Sequence, residues 1–134
     1  MFITPLYAGL LAILFITLSV RVVQQRGHGV SLGHGEDQVL LRRIRGHGNF
    51  AEYVPFILLM MALLEVGGAT PVWLLHALGI TLVVARVLHG VALSYTEKWK
   101  FGRFYGTLLT FILVLVLGLL CLWRGVGGLA LTLS

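Results

Sequence analysis

FYGTLLTFILVLVLGLLCLW, residues Phe104–Trp123, is a run of twenty residues without one Asp, Glu, Lys or Arg. A bilayer core about 30 Å thick is crossed by roughly 20 apolar residues in helical form. Two further twenty-residue stretches lack those charges altogether, Met1–Val20 and Val66–Ala85. A fourth apolar run, Phe50–Leu64, is interrupted only by Glu52. Backbone groups in lipid must be satisfied inside the segment, which favours helices. The period-two alternation of a membrane barrel is absent. The reading is an all-α membrane protein, a bundle of four transmembrane helices over residues 2–22, 42–66, 71–93 and 103–124.

Composition supports this from a different direction. Ten Lys+Arg and five Asp+Glu make 11% of 134 residues, against about 25% in soluble domains. Hydrophobic residues make up 58%, and the mean hydropathy is +0.96. A small soluble domain leaves too much surface exposed to hide that content. A soluble domain, a disordered chain and a disulfide-stapled scaffold are thereby excluded. One integral membrane domain, residues 1–134, accounts for the length. Cys121 is the single cysteine and sits inside the last run, as a small packing residue. No basic residue precedes the first run, and Arg21 and Arg26 follow it. That is the reverse of a signal peptide, so the first run reads as a retained span.

Glycines and polar residues mark the connections. Gly27, Gly29, Gly33 and Gly35 lead into Glu36-Asp37-Gln38; Gly67-Gly68-Ala69-Thr70-Pro71 is a tight turn; Ser94 to Gly102 carries Glu97, Lys98 and Lys100. Arg21, Arg26, Arg42, Arg43 and Arg45 flank the first connection, and Lys98, Lys100 and Arg103 flank the third. Only Arg124 opposes the bias. The positive-inside rule places the first and third connections in the cytoplasm and both termini outside. The basic charge is thus topological, and no basic helix or aromatic platform supports nucleic-acid binding.

Ionisable residues within spans are costly and usually functional. Arg45, Asn49, Glu52 and Tyr53 fall at i, i+4, i+7 and i+8, on one helical face. A guanidinium, an amide, a carboxylate and a phenol together suit a small zwitterionic ligand. The same set also suits a buried network tying helices together, with Arg45–Glu52 as an ion pair. Pro55 reads as a kink. Arg86 and His89 share a face at the end of the third span. Arg86 either contacts ligand or snorkels to the interface; His89 either contacts ligand or bonds the helix end. His76 reads as structural, and Glu65 as reaching the headgroup region. His28, His34 and His47 have no metal-site spacing. Lys100 and Arg103, at the head of the fourth span, serve either to favour a thiolate over a thiol or as interfacial anchors.

Arg45-x-His47-x-Asn49-x-x-Glu52-Tyr53-x-Pro55 resembles the signature of the MAPEG family, the membrane-associated proteins of eicosanoid and glutathione metabolism. Val30-Ser31-x-Gly33-His34-Gly35, Ala85-Arg86-x-Leu88-His89 and Arg103-x-x-Gly106-x-x-x-Thr110 are similar to patterns of its small bacterial members, in the same order. The resemblance implies a four-helix protomer in a homotrimer, with glutathione as cosubstrate in sites between subunits on the cytoplasmic side. Carried over position by position, it implies glutathione contacts from Arg26, Arg45, His47, Asn49, Glu52, Tyr53, Arg86 and His89. Arg103 matches the arginine that stabilises the thiolate, with Lys100 as the rival match. Eukaryotic members carry tyrosines where this chain has His89 and Leu93.

The expectation is a glutathione-dependent transferase or peroxidase of a bacterial inner membrane. Its substrate would be a lipophilic electrophile arriving from the surrounding lipid. The alternatives are a non-enzymatic lipid- or ligand-binding scaffold of the same fold, and a small transporter. Transport usually wants a midplane site, whereas the polar residues here gather at one membrane edge.

Overall fold

Runs this apolar satisfy their backbone in lipid only within themselves, and each becomes an α-helix. The computed structural model describes residues 2–133. Its four helices are α1 Ile3–Arg26, α2 Gln38–Val66, α3 Val72–Ser94 and α4 Lys100–Leu133, with no strand among the described residues. All four are long and apolar enough to cross a membrane. The short connections at residues 67–71 and 95–99 force neighbouring helices to run antiparallel. Every pair of helices touches except α1 and α4, which lie on opposite flanks.

α1 and α4 each bury a narrow stripe, whereas α3 buries nearly half of its residues. In α1 the stripe is Thr4, Tyr7, Leu11 and Leu18; in α4 it is Gly102, Gly106, Thr110, Leu113 and Leu117. Spacings of three, four and seven keep one face inward. These stripes meet Phe50, Val54, Ile57 and Met61 of α2 and Leu75, Leu78 and Leu82 of α3 in one continuous apolar core. The opposite faces carry Ile13, Ile16, Leu59, Leu63, Ile80, Leu115 and Leu119, all exposed. On a water-soluble protein such a surface would aggregate; around a membrane bundle it meets acyl chains. Cys121 is half-buried with its Sγ 3.8 Å from the Met60 carbonyl, a packing contact.

The helix ends differ from the expected ones for local reasons. α1 continues from residue 22 to Arg26 because nothing breaks it before Gly27. α2 begins at Gln38 rather than 42, because Asp37 is its N-cap and accepts from the Leu40 amide at 3.0 Å. Pro55 sits within α2 without ending it. α3 starts one residue after Pro71, its N-cap, and closes at Ser94. α4 starts at Lys100 and runs to Leu133, nine residues beyond the expected end at 124. Gly125, Gly127 and Gly128 lie there, but none takes the left-handed conformation that stops a helix, as Gly68 does at φ 71°.

Glu65 corrects its expected role. It does not reach for headgroups. Its carboxylate accepts the backbone N–H groups of Phe2, Ile3 and Thr4 at 2.7, 2.8 and 2.7 Å. The N-cap residue of α1, Phe2, supplies no side-chain bond. The end of α2 therefore caps the beginning of α1, where an anion also meets the positive end of the helix dipole. One turn on, the Tyr7 hydroxyl lies 2.9 Å from His76 Nδ1 on α3, so His76 is structural, as expected.

Candidate functional site

The opposite end of the bundle, where the first and third connections lie, holds the polar side chains. Arg86 dominates it. Eight residues from the end of α3, at 1.5 Å per residue, it lies about 12 Å inside the helix end. Its side chain is fully buried. One Nη donates to Asn49 Oδ1 on α2 at 2.9 Å, the other to Thr110 Oγ1 on α4 at 3.3 Å. Its guanidinium also lies 5.6 Å from the centre of the Phe50 ring. Snorkelling is thereby overturned, because three helices hold the guanidinium in place.

His89, 4% exposed, sits one turn further along α3. Its Nδ1 is 3.3 Å from the Arg86 guanidinium. A guanidinium can only donate, so Nδ1 accepts and the ring hydrogen sits on Nε2. That leaves a neutral donor beside a cation. The close approach of α4 makes this packing possible. A Cβ built on Gly106 would lie 2.8 Å from the Ala85 carbonyl oxygen and from the His89 N and Cβ atoms.

Above this network is a cavity of about 300 Å³, lined by Arg42, Arg45, Asn49, His89, Arg103 and Thr107 together with Leu41 and Leu93. No acidic side chain lines it. Three guanidiniums at the wall, that of Arg42 paired with Glu97, and a fourth behind Asn49 give it an excess of positive charge. A second space, about 480 Å³, runs along the flank of α4 between Lys100, Arg103, Phe104, Thr107, Leu108 and Phe111. Arg103 and Thr107 border both. Arg103 thus stands where a charged cavity meets an apolar groove open to lipid.

Not every candidate from the sequence converges here. Arg45 and Asn49 do. Tyr53, one turn deeper on the same strip of α2, packs its ring 5.8 Å from that of Phe111 in the groove. Glu52 is exposed on the flank and forms no hydrogen bond among the described residues, so the anticipated Arg45–Glu52 ion pair is absent. His47 turns toward α1 and stacks on Phe15, with centroids 4.8 Å apart. Arg26 braces the first connection, donating to the carbonyls of Val30, Ser31 and Gly33 at 3.5, 3.3 and 2.9 Å. Lys100 lines only the groove. Arg42 and Thr107 were missed. Their signal was helical spacing: Arg42 precedes Arg45 by three residues, and Thr107 follows Arg103 by four.

The fold and site define a four-helix membrane bundle with a cationic cavity at one end. The match to the MAPEG family model covers residues 4–123, and the chain belongs to that family. It is a membrane protein of the glutathione and eicosanoid metabolism class. It is similar to "Inner membrane protein YecN" of Escherichia coli (strain K12), 38% identical over 88 residues, 65% of this chain and 66% of that protein. The protein of the same name from Escherichia coli O6:H1 matches to the same extent. The matched segment thus spans just under two thirds of these relatives. No solved structure matches the chain significantly.

Proposed function

We propose that this protein is a bacterial inner-membrane, glutathione-dependent transferase or peroxidase acting on lipophilic electrophiles. The observation that carries the reading is the position of Arg103 between the cationic cavity and the apolar groove. The donor set fits glutathione in part. Arg45, Arg42 and the Asn49 amide suit its two carboxylates. Its ammonium needs an acid, and Glu52 lies outside the cavity on the exposed flank. A neighbouring subunit packed on that flank would bring Glu52 and Tyr53 to a shared site, so the working unit in this reading is a homotrimer. The first and third connections then face the cytoplasm and both termini lie outside.

Arg103 acts on the sulfur. A positive charge beside a thiol favours the thiolate, and each unit of lowered pKa is about 1.4 kcal/mol. The thiolate forms a C–S bond to the electrophilic carbon while the leaving group departs with its electron pair. Phe104, Leu108 and Phe111 guide the apolar substrate from lipid to that sulfur.

The test is conjugation of glutathione with chlorodinitrobenzene by purified protein in detergent. The wild type turns over. Arg103→Ala lowers kcat/KM at pH 7 by about tenfold or more, and the deficit narrows at high pH, where the thiol ionises unaided. Lys100→Ala changes it by less than about twofold, as expected of an exposed charge outside the cavity. Equal rates for Arg103→Ala and wild type would remove the thiolate role. The placement of Glu52 also favours a second reading, a non-enzymatic lipid- or ligand-binding scaffold. Retained lipid, with no thermal stabilisation by millimolar glutathione, would select it.

A further inference from the structure

A second group of cations lies beside the first. Arg21 of α1, Arg42 and Arg43 of α2, and Ser94 at the end of α3 enclose a cleft of about 140 Å³. Glu97 is the one acid lining it, and it pairs with Arg42 at 3.1 Å. Three guanidiniums against one carboxylate leave a positive excess. The other two guanidiniums bond backbone: Arg21 donates to the Ser94 carbonyl at 2.8 Å, and Arg43 to the Arg21 carbonyl at 2.9 Å. The Nε atoms of Arg21, Arg42 and Arg43 are buried without a hydrogen-bond partner. So is the hydroxyl of Ser94, a residue only 5% exposed. Buried donors are almost always satisfied, and these four keep hydrogen-bonding capacity that the chain itself does not use.

The neighbouring groove says where that oxyanion comes from. About 370 Å³ in volume, it is lined by Ile16, Thr17, Val20, Arg21, Gln24 and Tyr95. It shares Arg21 and Tyr95 with the cleft. The Arg21 guanidinium lies 4.2 Å over the Tyr95 ring, which fixes it at the junction. Ile16 and Val20 are exposed on the flank of α1. A cationic cleft continuous with an apolar groove on the outer face of a span has the chemistry of an anionic phospholipid.

We propose that the cleft and groove together hold one anionic phospholipid. Its phosphate is bonded by Arg21, Arg43 and Ser94, and an acyl chain lies along Ile16 and Val20. Free phosphate shares the headgroup chemistry and is the rival source.

Full-length protein in neutral detergent is titrated with phosphatidylglycerol, phosphatidylcholine and inorganic phosphate, with unfolding followed by tryptophan fluorescence. Phosphatidylglycerol is expected to raise Tm saturably, at a concentration about tenfold below that of phosphatidylcholine, because the cleft carries excess positive charge. Millimolar phosphate is expected to do nothing. Arg43→Gln weakens the lipid effect about tenfold, the loss of one charge-assisted bond. Ser94→Ala weakens it about threefold, and because the hydroxyl has no partner the variant keeps its fold. Equal shifts from both lipids, an equal shift from phosphate alone, displacement by glutathione, or unchanged titration of Ser94→Ala would each overturn the assignment.

Discussion

Replacing Gly106 by alanine tests the packing that builds the site. An alanine methyl there lies 2.8 Å from the Ala85 carbonyl oxygen and from the His89 N and Cβ atoms. Ordinary contact begins at 3.4 Å, so the helices must separate by about 0.6 Å. Ala85 O and His89 N are backbone atoms of α3 and cannot rotate aside. Forced overpacking costs about 1–3 kcal/mol, while alanine in a helix regains up to about 1 kcal/mol over glycine. The net expectation is a loss of about 0–2 kcal/mol against wild type, and of about 1–3 kcal/mol against an unhindered alanine on the same helix. Gly118→Ala on the same helix is the control, because its methyl meets nothing within 4 Å. Thermal unfolding in detergent should rank Gly118→Ala at or above wild type and Gly106→Ala below it. The displacement also moves Arg103 relative to His89, so glutathione-dependent stabilisation should fall with it. If Gly106→Ala matches Gly118→Ala in stability, the close α3–α4 approach is not what holds the network.

Asn49→Ala removes an acceptor from the buried Arg86 guanidinium and should cost about 1–3 kcal/mol in the same unfolding measurement. Arg45→Ala should stay within about 0.5 kcal/mol, because Arg45 is exposed and bonds nothing among the described residues; it should instead weaken glutathione binding. Glu65→Ala leaves three N–H groups of α1 uncapped and should cost about 1–2 kcal/mol, with faster hydrogen exchange at Ile3 and Thr4. The Asp37 carboxyl is held below its usual value by the Gln25 amide and then the Leu40 N–H. A depressed folded-state pKa stabilises above the unfolded value of about 3.9 and is lost as pH falls through the folded value. Wild type should therefore lose stability in that acid range, and Asp37→Asn should lose less.

The spans were legible because hydropathy is a local property: a charge-free run such as Phe104–Trp123 has one solution in lipid. Asp37 was legible in principle as an N-cap, but its neighbours Glu36 and Gln38 disguised it as loop. The capping of α1 by Glu65 was not legible, because the partners lie more than sixty residues apart. Arg86 shows the same limit. Its spacing to His89 was plain, yet whether it snorkels or is buried depends on Asn49 and Thr110 from two other helices. His47 and Asn49 are two residues apart in one motif and face different neighbours, Phe15 and Arg86. A pattern names the residues of a site; only packing sorts those that line a cavity from those that hold a helix.

Arg86 also explains why the cavity lacks an acid. A buried guanidinium strongly favours a negative partner, yet here it bonds only the neutral groups Asn49, Thr110 and His89. A carboxylate in the wall would neutralise the field and compete with any anionic ligand. Neutral acceptors fix the guanidinium without quenching it, and with Arg42, Arg45 and Arg103 it leaves the cavity positive. Folding bears that cost through the four-helix core around it. An anion that fills the cavity relieves the repulsion, so its binding and the stability of the bundle are coupled by mass action: at a hundred times Kd the gain is about 2.7 kcal/mol. The same contact sets the tautomer of His89, a residue of the cavity wall, with its hydrogen on Nε2.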